Sequence, residues 1–518
     1  MESPQKRLIV AMALHPVCAP PRWAQRVWGR YLMRNFGLAL LGVAFFAFPA
    51  SAQQQPQPTP GFVQASNPPA TQPQVAPITP GQQRVVDRLQ AAALESDHAY
   101  DIVEDLVSQV GPRLAGSDAE ARAREWAVAM LRANGFTNVH VEPFTLPYWD
   151  AMREEAHIIS PGLERPMVAA ALGGSPSTPA GGLTAEVVRF PDMVALEAAP
   201  DSAVAGRIVF IDEHMSRAQD GAGYGVAVRK RGRCAPVAQA KGAAACLIRA
   251  VGTDTHRFAH QGGSSRQAQG ASLPAMSISP ADADVLAYLL TRGAVRVRLD
   301  ITAEIREDAQ SGNVIAEIRG RERPQEIVLL AAHLDSWDMG QGAIDDGSGV
   351  AIISAAARLI RDLPRRPRRT IRILLAGAEE NGVHGGAAYG RAHATEAANH
   401  VVALESDFGA GRVWRFDTQF AEPALPYARA FQRALSPLGV LPGPNQADGG
   451  ADVSAMKELG VPVVDLSQDG TNYFDHHHTP DDTLYAIDRA DLRQNVAAWA
   501  TFVYLAADSD WTFRAPAE

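Results

Sequence analysis

The sequence predicts an α/β fold in which a mostly parallel central sheet carries helices on both faces. Past residue 311, apolar strand-like runs alternate with amphipathic helical runs, as in the pair EIVLLAAH and GVAIISAAARLIRDL. The strand-like runs are apolar almost throughout, which is typical of parallel strands buried on both faces. No internal repeat with a period of about 20–50 residues is present, so a solenoid is excluded.

Composition and charge point to a globular protein that does not bind nucleic acid. The chain has 518 residues, of which 46% are hydrophobic and 20% charged, enough for about two or three domains. Its formal net charge of -9 argues against a polyanionic partner, because nucleic-acid binders display clustered basic residues. The arginine-dense stretch RDLPRRPRRT is predicted to be a solvated connection between a helix and a strand.

Residues 33–52 are predicted to be a cleavable export signal. Arg34 precedes an apolar run over residues 36–48, and the small residue Ala52 ends the segment. The run is shorter than the ~20 residues that cross a bilayer, so no stable membrane span is expected after cleavage. Since a signal begins a protein, residues 1–32 are interpreted as an over-extended start. The expected location is secreted or periplasmic.

The first part of the chain predicts a linker followed by helices. Residues 53–80 are rich in Pro and Gln and are typical of a flexible linker. The stretch from Gln82 to Gly111 has helical spacing, and Ser117 can cap a second helical stretch that ends at Gly135. The run NVHVEPFTL then predicts a strand. The main domain, built from two separate parts of the chain, is expected to comprise residues 85–150 and 306–515.

Residues 151–305 are predicted to form a smaller inserted domain. Proline and glycine interrupt short β-type runs, TAEVVRF and GRIVFID, which are followed by a helix in APVAQAKGA and a strand in AACLIRA. Cys234 and Cys246 lie in this segment, and an exported protein could join them. The sequence leaves that disulfide open.

Histidine and acidic residues follow the predicted strands of the central sheet. In open α/β sheets the working groups collect at the carboxyl ends of the strands. The residues that this rule selects are His333, Asp335, Asp345, Glu379, Glu380, Asp407, His476, His477 and His478. Imidazole and carboxylate ligands without cysteine suit zinc or a similar divalent ion.

A pair of zinc ions fits this ligand count better than one ion. Two ions about 3.5–4 Å apart need a bridging carboxylate on a backbone that both can approach. Asp345, between Gly342 and Gly347, meets that need. We expect Asp335 to orient His333 by accepting its second ring N–H, and Asp482 to do the same for His478.

Four motifs resemble metallopeptidase family 28, the co-catalytic zinc exopeptidases: HLDSWDMGQGAIDDGSG, AGAEENGVHGG, LESDFGAG and YFDHHHTPDDT. The resemblance covers roughly residues 90–510, and the run from YGVAVRKRG to GAAACLIRA is similar to the family's inserted protease-associated domain. It implies a role for each matching residue. By this resemblance, His333 and Asp407 would bind one zinc ion, and Glu380 and His478 would bind the other. Asp345 would bridge the two ions, and Glu379 would act as the general base.

Two further features follow from the resemblance. Family members often have a cis peptide after the bridging aspartate, here Asp345–Asp346. Several members place a tyrosine before the last histidine ligand to stabilise the oxyanion, whereas this chain has His477, as one subgroup of the family does. We expect His477 to take the oxyanion role, with Tyr473 as the rival.

The sequence therefore predicts an exported exopeptidase with two zinc ions that hydrolyses terminal bonds of dipeptides or short peptides. A homodimer is compatible with the sequence. The sequence does not distinguish aminopeptidase from carboxypeptidase-type dipeptidase action. Two alternatives stay open at this point: a non-catalytic binding module on the same fold, and a single-zinc enzyme similar to glutaminyl cyclase.

Overall fold

The computed structural model describes residues 76–160, 162–264 and 273–515. The predicted signal at 33–52 and most of the predicted linker lie outside these residues. Among the helices that are described, none combines the length and the apolar character needed to cross a membrane.

The described strands form one fourteen-stranded sheet, with the order β13-β12-β14-β11-β9-β10-β8-β4-β5-β6-β7-β3 and with β1 pairing to β8 and β2. Strands β9, β10, β11 and β14 run parallel, and β8 and β12 pair antiparallel to this group. The strands are β1 Thr137–Ser160, β2 Leu163–Met167, β3 Ala169–Ala171, β4 Leu183–Phe190, β5 Ile208–Ile211, β6 Ala245–Arg249, β7 Ala275–Ile278, β8 Arg296–Ile318, β9 Arg323–His333, β10 Arg369–Ala376, β11 His400–Glu405, β12 Val413–Gln419, β13 Leu441–Pro442 and β14 Val463–Gln468.

The helices match most of the predicted helical stretches. The first stretch is two helices, because the chain turns at residues 95–97. The α-helices are Pro80–Leu94, His98–Gln109, Asp118–Ala133, Met193–Ala198, Asp201–Val204, Ala222–Ala240, Pro280–Leu290, Ser348–Arg361, His384–Ala392, Leu425–Leu435, Ser454–Glu458, Tyr473–His476 and Arg489–Asp508. Short 3₁₀ turns occupy Ala394–Asn399, Glu422–Ala424, Ser436–Leu438 and Leu484–Ala486, and a wide π-type turn occupies Ala343–Gly347.

Strand β9 shows why the sheet is covered on both faces. Its side chains alternate, as in any extended strand. Val328 and Leu330 belong to the large core beneath helices Ser348–Arg361 and Arg489–Asp508. Ile327 and Leu329 belong to the core on the opposite face, with Tyr389 and Met456. The predicted α/β architecture, a central sheet between helical layers, is therefore confirmed. The sheet itself is mixed, because antiparallel pairings flank the parallel strands β9, β10, β11 and β14.

The segment predicted to be inserted continues the main sheet. Strand β8 is long enough to pair with β10 near its end and with β4 near its start, so it carries the sheet from one part to the other. Strands β3 to β7 and the helix Ala222–Ala240 then build cores of their own. The described residues form one compact unit, and the domain boundary at 151–305 stays a prediction.

Helix Ala222–Ala240 begins much earlier than the sequence indicates. The predicted helix starts at Ala235, whereas the observed helix starts at Ala222 and contains Gly225, Gly232 and Pro236. Glycine and proline disfavour a helix interior, so the local sequence does not indicate this helix. Packing stabilises it instead. Its last part is tied to β6 by a disulfide between Cys234 and Cys246.

We expect reduction of this disulfide to destabilise the protein. Closing a loop of this size removes entropy from the unfolded chain, and the bond should contribute about 2–4 kcal/mol to the free energy of unfolding. Urea unfolding of the protein with and without reductant measures the difference. Equal midpoints, in a sample whose peptide map shows Cys234 linked to Cys246 before reduction, would contradict this expectation.

Candidate metal centre

The side chains selected by the strand-end rule meet at one edge of the sheet. His333 is the last residue of β9, Glu379 and Glu380 follow β10, and Asp407 follows β11. These three strands are neighbours and parallel, so their carboxyl ends lie side by side. His478 reaches the same place from the loop after helix Tyr473–His476.

Asp345 stands between two pairs of side chains. Its Oδ1 is 3.0 Å from His333 Nε2, which is also 3.4 Å from Asp407 Oδ1. Its Oδ2 is 3.2 Å from His478 Nε2, which is also 3.0 Å from Glu380 Oε2. The two oxygens of one carboxylate thus face two separate histidine and carboxylate pairs. These are the pairs that the resemblance implies.

The donor atoms of the site fit a divalent metal. In three groups they lie within 4.8 Å of one another: Asp345, His477 and His478; His333, Asp345 and Glu380; His333, Asp346 and Asp407. Glu380 Oε1 is buried and has no hydrogen-bond partner among the described residues. Imidazole nitrogens and carboxylate oxygens at this spacing are the ligand set that zinc takes in catalytic sites.

The electrostatics of the site favour a bound cation. Burial raises the pKa of Glu379 well above its usual value, and the nearby Asp407 and Glu380 raise it further. Burial likewise raises the pKa of Glu380 and of Asp407. Burial also opposes ionisation of Asp345, but hydrogen bonds from His333 and His478 outweigh it and hold its pKa well below the usual range. Like charges collected in a buried space need a positive partner.

The loop that carries Asp345 is held from two sides. The Asp482 carboxylate accepts hydrogen bonds from the backbone N–H groups of Ala343, Ile344 and Asp345, at 2.9, 2.6 and 3.3 Å. Arg113, which is fully buried, donates to the carbonyl oxygen of Gly342 at 2.8 Å. Gly342 has a φ of 62°, and a Cβ there would lie 2.5 Å from Arg113 Nη1, so only glycine fits. Asp482 therefore fixes the bridging loop instead of contacting His478.

Asp335 joins two ligand loops. Its carboxylate accepts hydrogen bonds from the backbone N–H groups of Glu379 and Glu380, at 3.0 and 3.3 Å. His333 Nδ1 lies 3.1 Å from the backbone oxygen of Asp335 and 3.6 Å from its carboxylate. The backbone oxygen is thus the nearer partner that orients the His333 ring.

Asp346, the residue after Asp345, hydrogen-bonds to the backbone of His333. Its carboxylate accepts hydrogen bonds from the backbone N–H groups of His333 and Gly349, at 3.1 and 3.0 Å. The peptide bond between Asp345 and Asp346 is cis, as the resemblance implies.

A cleft of about 590 Å³ opens above the metal centre. Its floor includes Asp345, Glu379, Glu380 and Asp407. The predicted oxyanion residue, His477, lines it too, with its ring stacked 3.5 Å from that of His478 and its Nε2 3.6 Å from Asp345 Oδ2. The rival residue Tyr473 also lines the cleft. The described lining residues from the inserted segment are Tyr224, Arg231, Gly263 and Ser264.

The inserted segment also supports the last histidine ligand. The carbonyl oxygen of Gln261 lies 3.1 Å from His478 Nδ1, and Arg231 Nη1 donates to the same oxygen at 3.3 Å. Arg217 makes two hydrogen bonds to the Asp475 carboxylate, at 2.7 and 2.8 Å. The sequence gives no signal for the contacts of His478 and Asp475 with this segment, because the partners lie more than 200 positions apart.

Comparisons with known proteins identify the family of the chain. Residues 313–503 match the model of peptidase family M28. Carboxypeptidase Q of Bos taurus is 34% identical over 414 residues, which are 80% of this chain and 86% of that protein. The resemblance to metallopeptidase family 28 that the four motifs indicate is thereby confirmed, and carboxypeptidase Q is a relative of the chain.

Comparison with solved structures supports the same family and fold. A peptidase M28 precursor from Shewanella amazonensis SB2B superposes with a TM-score of 0.82 at 46% identity and covers 84% of this chain and 99% of its own. BSAP, a zinc aminopeptidase from Bacillus subtilis, has a TM-score of 0.57 at 21% identity over 79% of this chain and 97% of its own, which shows a shared fold. The chain belongs to peptidase family M28 and is a metallopeptidase that hydrolyses peptide bonds.

Proposed function

We propose that the chain is an exported exopeptidase with two zinc ions, which hydrolyses the terminal bonds of dipeptides or short peptides. The observation that carries the proposal is the position of Asp345 between the pair His333 and Asp407 and the pair Glu380 and His478. A carboxylate shared by two sets of ligands is what two adjacent ions require. Export is supported by the signal-like residues 33–52.

Glu379 is proposed to move the proton. When bound, zinc would polarise the scissile carbonyl and lower the pKa of the attacking water. Glu379 lines the cleft and belongs to neither of the two histidine and carboxylate pairs that flank Asp345. It would accept a proton from the attacking water and pass that proton to the leaving amine.

The size of the cleft supports a short substrate. A volume of about 590 Å³ is within the range of about 300–1,000 Å³ in which small ligands bind. The relatives do not fix the end from which the substrate is read, since one is a carboxypeptidase and another an aminopeptidase. A homodimer stays a prediction.

The two alternatives have less support. A non-catalytic module on this fold need not retain the ligands, whereas here every implied ligand position holds an imidazole or a carboxylate, and His333 and His478 lie 3.0 and 3.2 Å from the Asp345 carboxylate. A single-zinc enzyme similar to glutaminyl cyclase would not need a carboxylate between two ligand pairs.

The metal content tests the bridging role. We expect two zinc ions per chain in the wild-type protein and at most one in Asp345→Asn, because the amide has a single oxygen that can bind only one ion and the negative charge shared by both ions is lost. Mass spectrometry of the metal in dialysed protein measures the ratio. A matched Asp448→Asn variant, at an exposed site, should keep two ions. Two ions in Asp345→Asn would contradict the bridge.

The proton-transfer role predicts that Glu379→Gln binds zinc as the wild type does but loses on the order of 10²–10⁴ in kcat. Steady-state hydrolysis of unblocked dipeptides with added zinc measures the change. The control is Glu458→Gln on the surface, which should behave as wild type. Near wild-type turnover in Glu379→Gln would reject the assignment.

Blocked substrates test the exopeptidase claim. We expect an unblocked dipeptide to be hydrolysed, and a dipeptide blocked at both ends to be hydrolysed at least about tenfold more slowly, because a terminal group that the enzyme recognises is lost. Amino-blocked and carboxyl-blocked versions identify which end is read. Equal rates for all four substrates would argue for an enzyme that ignores chain ends.

A further inference from the structure

Tyr224, from the inserted segment, lines the cleft of the metal centre. It lies in the first turn of helix Ala222–Ala240, and its ring stacks on Phe474 with centroids 4.8 Å apart. The edge contact with His477, at 5.4 Å, places it beside the ligand loop. The ring is therefore fixed from two sides, and Tyr224 and Glu379 line the same cleft.

Arg231 determines how the Tyr224 hydroxyl can bond. Its Nη2 donates a hydrogen bond to the Tyr224 oxygen. A guanidinium carries only donors, so the tyrosine oxygen must be the acceptor in this contact. The hydroxyl hydrogen is then available to a second partner. Arg231 is itself anchored by the Gln261 carbonyl oxygen and is buried, so the position of the hydroxyl is determined before a substrate arrives.

His477 is less well placed to stabilise a substrate oxygen. Its Nε2 faces the bridging carboxylate, 3.6 Å from Asp345 Oδ2. Its Nδ1 is buried and has no hydrogen-bond partner among the described residues. Stacking on His478 prevents the ring from turning freely.

We propose that the Tyr224 hydroxyl, positioned by Arg231, donates a hydrogen bond to the scissile carbonyl oxygen as that oxygen becomes negative. The inference rests on the proposed function and assigns the oxyanion role to the inserted segment. The oxygen of the attacking water bonds to the carbonyl carbon, and the carbonyl electron pair moves to the oxygen that Tyr224 contacts. When that pair returns, the C–N bond breaks and Glu379 passes its proton to the amine. Tyr224 keeps its own proton throughout.

The variant Tyr224→Phe tests the hydroxyl alone, because it keeps the ring that stacks on Phe474. We expect kcat to fall on the order of 10²–10³, as when one oxyanion donor is removed, with KM changed less than about threefold. The zinc content and the melting temperature should match the wild type. The control Tyr485→Phe, on a side chain that is 95% exposed, should have wild-type kinetics.

A binding measurement provides a readout that does not depend on turnover. The probe is a phosphinic pseudodipeptide, Ala-Ala with –PO₂–CH₂– in place of the peptide group, titrated calorimetrically into zinc-loaded protein. Its tetrahedral oxyanion imitates the transition state, so Tyr224→Phe should weaken binding at least about tenfold. Binding of free alanine, which has no such group, should change less than about threefold.

The outcomes separate the two proposals. Unchanged kcat and unchanged phosphinate affinity in Tyr224→Phe would overturn the hydroxyl role and leave the peptidase intact. A raised KM at unchanged kcat would also overturn it, because the hydroxyl would then bind the ground state. If the wild type binds the phosphinate but hydrolyses no peptide, the proposed function fails while the binding test of Tyr224 still stands. A wild type that does not bind the phosphinate would overturn both.

The role of Arg231 as a positioning residue has its own test. Arg231→Met should lower kcat about tenfold in the wild-type background but less than about threefold in the Tyr224→Phe background, because coupled residues are not additive. Arg231→Lys, which retains a donor, should recover part of the loss. Zinc content is measured in each variant, since Arg231 also lies near His478. Equal losses in both backgrounds would contradict the coupling.

Discussion

The structure depends on a cluster of buried carboxylates that needs a positive partner. Asp345, Glu380 and Asp407 converge on His333 and His478, and burial disfavours their charged forms. In an ordinary protein core these positions would hold apolar residues, because an unpaired buried charge lowers the stability of the fold. The proposed dinuclear metal site would use this charge, and the surrounding fold keeps the candidate ligands in place.

Backbone contacts provide this support. Asp482 and Arg113 hold the loop that carries Asp345, and Asp335 holds the loop that carries Glu379 and Glu380. These partners come from distant parts of the chain and fix backbone positions, which is the role of groups that surround a metal's ligands. The inserted segment does the same for the last ligand, through the carbonyl oxygen that faces His478. The centre is thus built jointly by the sheet and the inserted segment.

The sequence predicts which side chains converge, because adjacent parallel strands bring their carboxyl ends together, and His333 and Asp407 follow two such strands. It predicts the supporting contacts less well. An aspartate such as Asp482 can orient a side chain or hold a backbone loop, and spacing alone does not distinguish these roles. Tyr224 and Arg231 could not be found at all. They lie on a helix whose glycines and proline hide it from propensity, and their partners are far along the chain.

One measurement tests the central claim most directly: anomalous X-ray diffraction at the zinc edge from crystals of the zinc-loaded wild-type protein. The account predicts two anomalous peaks about 3.5–4 Å apart, with one oxygen of Asp345 on each. A single peak, or a pair of peaks that Asp345 does not join, would contradict it.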